Sequence, residues 1–252
     1  MEQLIFLCIM VFIAGFVDSV AGGGGIISLP AYILTGMPPH MAYGCNKFSS
    51  SCGTTFSTIR FFLHGAINIK TAIISAIASF IGAAIAARII LMLDGDVLKK
   101  ILIIILPIVA VIILFKRNYG EIDNSYKFSN KTKVLFAIII GFLVGGYDGL
   151  LGPGTGTIAI LCYTAIMKYD LKTASGNAKV LNLASNYASL ITFALAGSVM
   201  YKVAIPAAIC NIIGNYIGSG FAIKKGAKFI RPMMMVVLVL LFGKIIFDNF
   251  II

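Results

Sequence analysis

Apolar residues fill three long stretches of the chain, Lys70 to Leu91, Val97 to Phe115 and Val134 to Val144, with few charges inside them. A bilayer crossing needs roughly 17 to 25 such residues, and these runs supply all or most of that length. Two further apolar segments, Leu4 to Gly36 and Val134 to Tyr169, are too long for one crossing. At about 1.5 Å per residue an unbroken helix over Leu4 to Gly36 would reach roughly 50 Å, against a hydrocarbon core of about 30 Å. The runs Gly22 to Gly25 and Gly152 to Gly156 lie within these segments and are the expected bends, with half-helices starting near Ile26 and Thr157. Between the apolar runs, His40 to His64 and Thr173 to Gly197 read as helices rich in Ser, Asn and Gly. The pattern predicts an all-α integral membrane protein with about eight hydrophobic segments.

Composition removes the soluble alternative. Hydrophobic residues make up 60% of the 252, charged residues only 12%, and a soluble domain that apolar would expose large patches to water. The net charge of +11 does not point to nucleic acid, because the cations sit between apolar runs and form no stripe with interleaved aromatics. Such flanking cations are usual for spanning helices. The start, Met1-Glu2-Gln3, has no cation before Lys47, so it does not read as a signal peptide and the amino terminus is expected to be retained. Cys8, Cys45, Cys52, Cys162 and Cys210 form no CxxC pair, which favours neither a zinc site nor a disulfide framework. No metal or other cofactor is expected.

The pattern occurs twice. A shift of 130 residues lays Asp18, Gly22 and Gly24 on Asp148, Gly152 and Gly154. A shift of 132 lays Ala42, Gly44, Lys47, Ser57, Gly65, Lys70, Ala72 and Gly82 on Ala174, Gly176, Lys179, Ser189, Gly197, Lys202, Ala204 and Gly214. The chain therefore divides into a first repeat, 1–117, a polar linker, 118–131, and a second repeat, 132–252. If each broken segment re-enters and returns to one side, 13 flanking Lys and Arg gather with the linker and 5 remain opposite. If each crosses, the division is 9 to 9. The positive-inside rule favours re-entry and a cytoplasmic linker. Three full crossings per half then invert the second repeat, an arrangement with which many secondary transporters build a midplane site.

Phe16-Val17-Asp18-Ser19 to Gly25 with Ile27 and Pro30, Gly44-Cys45-Asn46-Lys47, Tyr147-Asp148-Gly149 to Gly152-Pro153-Gly154-Thr155-Gly156, and Ala178-Lys179 with Asn182 and Asn186 resemble the TauE/SafE family of sulfite exporters and sulfonate permeases. Phe229-Ile230-Arg231-Pro232 is similar to that family as well, and the resemblance covers nearly the whole chain. It implies a transporter of sulfite, organosulfonates or related sulfur compounds. Cys45 stands where family members often have Thr, which leaves the exact solute open.

Lys47 and Lys179 interrupt membrane segments at equivalent positions. An ionised lysine at that depth costs at least about 2.5 kcal/mol, so each must face a wet cavity or a counter-charge. Two uses stay open: binding an anionic solute, or tying helices together by pairing with Asp18 or Asp148. The glycine breaks precede helix amino ends, whose free N–H groups and partial positive charge suit an oxyanion. Close helix packing is the other use of such small residues. The candidate substrate-binding set is Gly23, Gly24, Gly25, Asn46, Lys47 and Ser50 with Gly154, Thr155, Gly156, Asn177, Lys179, Asn182 and Asn186. Asp18 and Asp148 are candidates for proton coupling or for fixed counter-charge. His64 reads as an interfacial residue at a helix end.

No set of nucleophile, base and orienter is present, so an enzyme is not expected. A membrane-embedded enzyme, a structural subunit of a larger complex, and a carrier of another solute or metal cation are the alternatives. Paired lysines where a cation carrier would need paired acids argue against the last of these. The expected partners are a small sulfur-containing anion and the lipid bilayer of a prokaryotic plasma membrane, with a homodimer as one option for assembly.

Overall fold

The computed structural model describes residues 2–93 and 121–250, and the expected segment Val97 to Phe115 lies outside them. Helices account for nearly all of it, with no strand among the described residues. In the first half they are α1 (Glu2–Ala21), α2 (Gly25–Leu34), α3 (Pro39–Leu63) and α4 (Ile69–Met92). In the second they are α5 (Asn130–Leu150), α6 (Thr155–Ala165), α7 (Leu171–Leu195), α8 (Tyr201–Lys225) and α9 (Ala227–Phe250). Of the expected apolar segments, α1, α4, α5 and α8 are long and apolar enough to cross a membrane. Helices α2 and α6 are too short, while α3 and α7, at 25 residues each, carry a polar interior instead.

Both breaks fall at the glycine runs. Gly22, Gly152 and Gly154 take φ of 76°, 82° and 80°, a left-handed backbone that glycine adopts without the steric cost of a Cβ. After the first break α2 doubles back. Thr35 to Pro38, just beyond its end, line one groove with Gln3, Leu4 and Leu7 at the start of α1. In the second half the residue before Tyr169 returns to the linker, where the Asn124 N–H donates to the Lys168 carbonyl at 2.9 Å.

The helices pack through small residues that let backbones approach, as lipid-embedded helices require. On α5, Gly141, Gly145 and Gly149 meet Ser75, Ser79 and Ala83 of α4. Contacts advance together along both helices, so α4 and α5 run parallel. In the same way Gly15 and Phe16 of α1 meet Asn211 and Gly218 of α8, the equivalent pair under the repeat. Phe48, Gly53 and Arg60 of α3 meet Tyr201, Asn211 and Tyr216 of α8 in forward order, and Asn68, which caps α4, and Ser79 of α4 meet Asn177 and Leu181 of α7.

Outside, an isoleucine row on α4 (Ile73, Ile77, Ile81, Ile85, Ile89) recurs on α8 as Ile205, Ile209, Ile213 and Ile217, all exposed. These rows have the four-residue spacing of one helix face and suit lipid as their solvent. Inside lie two apolar clusters, one around Val20, Ile26, Tyr163 and Leu171, the other around Leu7, Leu29, Tyr32 and Phe193.

Candidate functional site

The tips of the two breaks interlock. Gly22 packs on Gly156 so closely that a Cβ on either would overlap the other's backbone, and a Cβ on Gly25 would lie 3.3 Å from the Cα of Pro153. The Thr157 N–H donates to the Gly22 carbonyl at 3.2 Å, and its hydroxyl donates to the Ala21 carbonyl at 2.7 Å. Backbone polar groups freed by one break are thus satisfied by the other half, which is what non-helical backbone at membrane depth needs.

Around these tips the four charged candidates pair across the halves. The Lys47 ammonium on α3 donates to the Asp148 carboxylate at 2.7 Å and to Asn186 Oδ1 at 3.1 Å. The Lys179 ammonium on α7 donates to the Asp18 carboxylate at 3.0 Å and also to the Asp18 main-chain carbonyl. Each lysine is matched with the acid of the opposite repeat, never with that of its own. The two pairs differ in exposure: the side chains of Lys47 and Asp148 are both 3% accessible, whereas Asp18 is 18% accessible beside a Lys179 at 1%.

Each carboxylate also occupies the amino end of its own half-helix. Asp18 accepts a long bond, 3.4 Å, from the Gly24 N–H just before α2. Asp148 accepts from the Thr155 hydroxyl, in the first turn of α6, at 2.9 Å. A carboxylate placed there meets the partial positive charge of the helix end, so Asp18 and Asp148 sit where the glycine breaks predicted an oxyanion.

The remaining candidates separate into two groups. Asn186 and Asn182 join the Lys47 pair as a chain, since Asn186 Nδ2 donates to Asn182 Oδ1 at 3.1 Å. Ser50, half-buried, follows Lys47 by one turn of α3. Gly23 packs elsewhere, against Val237 of α9, whereas Gly24 packs against Ala14 and Asp18 of α1, and Gly154 is the residue preceding α6. Asn46 is held by Ser28 of α2, whose hydroxyl donates to Asn46 Oδ1 at 2.7 Å. Asn177 Oδ1 accepts the Asn68 N–H at 2.8 Å, at the start of α4. Cys45, its counterpart under the repeat, takes the Met200 N–H on Sγ at 3.2 Å at the start of α8. Asn177 and Cys45 are therefore equivalent clamps between α7 and α4 and between α3 and α8.

Sequence reasoning passed over Ser28, whose counterpart is Ile158, so the repeat carries no signal for it. It also passed over Thr54, the counterpart of Asn186, which the 132-residue shift does pick out.

Similarity to known proteins narrows what such a site belongs to. Residues 7–245 match the family described as sulfite exporter TauE/SafE. The chain is 35% identical over 245 residues to a probable membrane transporter protein, ORF9, of Sinorhizobium sp, covering 97% of this chain and 93% of that one. It is 33% identical to a probable membrane transporter protein of Haemophilus influenzae, covering 98% and 96%, and 31% identical to the probable membrane transporter protein YfcA of Escherichia coli K12, covering 96% and 89%. No solved structure matches the chain. A chain of exposed apolar helices with two lysine–aspartate pairs inside, matched over nearly its whole length, belongs to the TauE/SafE family of membrane transporters.

Proposed function

We propose that this transporter carries small sulfur-containing anions, sulfite or organosulfonates, at a midplane site where the two glycine breaks meet between inverted repeats. The observation that carries the reading is the exchanged pairing of Lys47 with Asp148 and Lys179 with Asp18. Each carboxylate lies between a helix amino end and an ammonium of the other half. A sulfonate or sulfite oxygen has the same charge and hydrogen-bonding needs, so the solute takes the place that the carboxylate now holds. Each pair is neutral as it stands. An entering anion adds negative charge, and a proton on the displaced carboxylate or an accompanying cation keeps the buried site near neutral, as burial demands. A divalent cation would have to displace both ammonium groups first, which makes a metal carrier the poorer reading.

Helix direction supports the inverted arrangement. Contacts align α1 with α8 and α8 with α3 as parallel, and α4 with α5 and with α7. The short connection at residues 64–68 turns α4 against α3. Equivalent helices of the two halves (α1 and α5, α3 and α7, α4 and α8) then run in opposite senses. With the charge division, this supports a cytoplasmic linker with both termini outside. Labelling a single cysteine in the linker with an impermeant reagent, in a variant freed of native cysteines, tests it; labelling in intact cells sinks the assignment.

The solute is tested on purified protein by thermal unfolding with sulfite, thiosulfate, sulfoacetate, taurine, sulfate and simple carboxylates. A ligand at about 100 times its Kd stabilises the folded state by about 2.7 kcal/mol. The expected result is stabilisation by a sulfur oxyanion and uptake of labelled sulfite, but not labelled cobalt or nickel, into proteoliposomes. The reverse pattern refutes the reading.

A further inference from the structure

The two lysines are not served alike, and the difference exposes a group with nothing to do. Lys47 gives one N–H to Asp148 and another to the side chain of Asn186 on α7. The shift of 132 residues that carries Lys47 onto Lys179 also carries Thr54 onto Asn186. The counterpart of the Lys47 bond to Asn186 would therefore be a bond from Lys179 to Thr54 on α3. That bond is not made: Lys179 bonds the main-chain carbonyl of Asp18 in its place. Thr54, fully buried, is left with a hydroxyl that has no hydrogen-bond partner.

A buried hydroxyl without a partner costs free energy that folding does not recover. Ser51 Oγ donates to the Lys47 carbonyl at 2.7 Å and Ser57 Oγ to the Thr54 carbonyl at 3.1 Å; the Thr58 hydroxyl is also unpartnered, but Thr58 is only half-buried and lines an outer apolar groove with Ile59 and Phe62. An ammonium has three N–H groups, and Lys179 spends two on Asp18. One N–H of Lys179 and the hydroxyl of Thr54 thus remain for a third party, on facing helices α3 and α7.

We propose that Thr54 is a solute-binding residue, its hydroxyl and the Lys179 ammonium together donating to one oxygen of the transported anion. The assignment rests on the anion reading above and deepens it by naming a donor in the first repeat. In the second repeat the equivalent place is filled by the amide of Asn186, which already holds Lys47. The site is then lopsided: an anion is held on the Lys179 side, where the Asp18 side chain is partly accessible, while the Lys47 side stays closed on its own internal partners.

The test uses two substitutions in the full chain. Thr54→Val keeps shape and removes the hydroxyl; Thr54→Ser keeps the hydroxyl. Empty Thr54→Val protein is expected to unfold at the wild-type temperature or above, since an unpartnered hydroxyl is replaced by an apolar group of the same shape. Its affinity for sulfite, read from the sulfite-induced shift in unfolding temperature and from the KM of labelled sulfite uptake, is expected to fall about tenfold, which corresponds to about 1.4 kcal/mol. Thr54→Ser is expected to stay within about threefold of wild type. In a Lys179→Met background Thr54→Val should add less than about twofold, because both groups serve one oxygen. A Thr54→Val protein that is less stable when empty yet keeps wild-type sulfite affinity makes the hydroxyl structural and overturns the proposal, as does failure of serine to restore binding. Wild-type protein indifferent to sulfite, thiosulfate and sulfoacetate alike overturns the anion reading itself, and Thr54 with it.

Discussion

Lys47 with Asp148 and Lys179 with Asp18 are one design built twice, yet the two copies have settled differently. The first is sealed: both side chains are 3% accessible, and Thr155 and Asn186 supply further hydrogen bonds to the carboxylate and ammonium. The second is partly open at Asp18, its amide contact from Gly24 is long, and the Thr54 hydroxyl, at the position equivalent to Asn186, is unsatisfied. Nearly identical residues thus form a closed pair and an open pair, and the difference lies in the partners around them. An inverted repeat that alternates its access would exchange these two conditions between its halves.

The largest effect is expected at the sealed pair. Lys47→Met leaves Asp148 buried without its counter-charge, a change that costs about 3–5 kcal/mol, with transport at least tenfold lower. Adding Asp148→Asn should return most of the stability, followed by circular dichroism on heating in detergent, and none of the transport. If Lys47→Met protein keeps near-normal flux, the lysine is structural and the site assignment is wrong.

The glycines at the breaks sharpen the comparison next. Gly152→Ala meets no atom closer than 3.7 Å, so it bears only the left-handed backbone cost of about 1–2 kcal/mol. Gly22→Ala bears the same cost and also overlaps Gly156, adding about 1–3 kcal/mol. Equal unfolding temperatures for the two variants would mean that the interlocked tips do not hold.

Lys179→Met should cost less stability than Lys47→Met, about 1–3 kcal/mol, because the Asp18 side chain is partly accessible, while transport falls at least as far. Equal destabilisation of both methionine variants would erase the distinction between sealed and open pairs.

The smallest contrast lies at the two clamps. Asn177→Ala should cost about 1 kcal/mol and Cys45→Ala about 0.5, the thiol being the weaker partner, with solute affinity unchanged in both. A Cys45→Ala protein with altered sulfite affinity would return that residue to the binding site.

The order of the elements was legible in the sequence because hydropathy, glycine and repeat spacing are properties of short stretches. Breaks were expected at Gly22 to Gly25 and Gly152 to Gly156, and α2 and α6 begin at Gly25 and Thr155, within two residues of expectation. That two intramembrane lysines need compensation followed from the energetics of charge in lipid. Which acid answers which lysine did not, since charge alone permits Lys47 to meet either Asp18 or Asp148. The crossing of α3 and α7 over the interlocked tips selected the exchanged pairing, because it brings each lysine within hydrogen-bond reach of the acid from the opposite half. The same distance in sequence hid which groups Asn46 and Asn177 meet: an amide announces its capacity to bond, and only packing shows that Ser28 and Asn68 take up one oxygen each. Repetition in the chain supplied a lysine and an aspartate twice at equivalent positions; tertiary packing made one pair closed and left the other partly open, since a buried group's state depends on neighbours that local sequence does not contain.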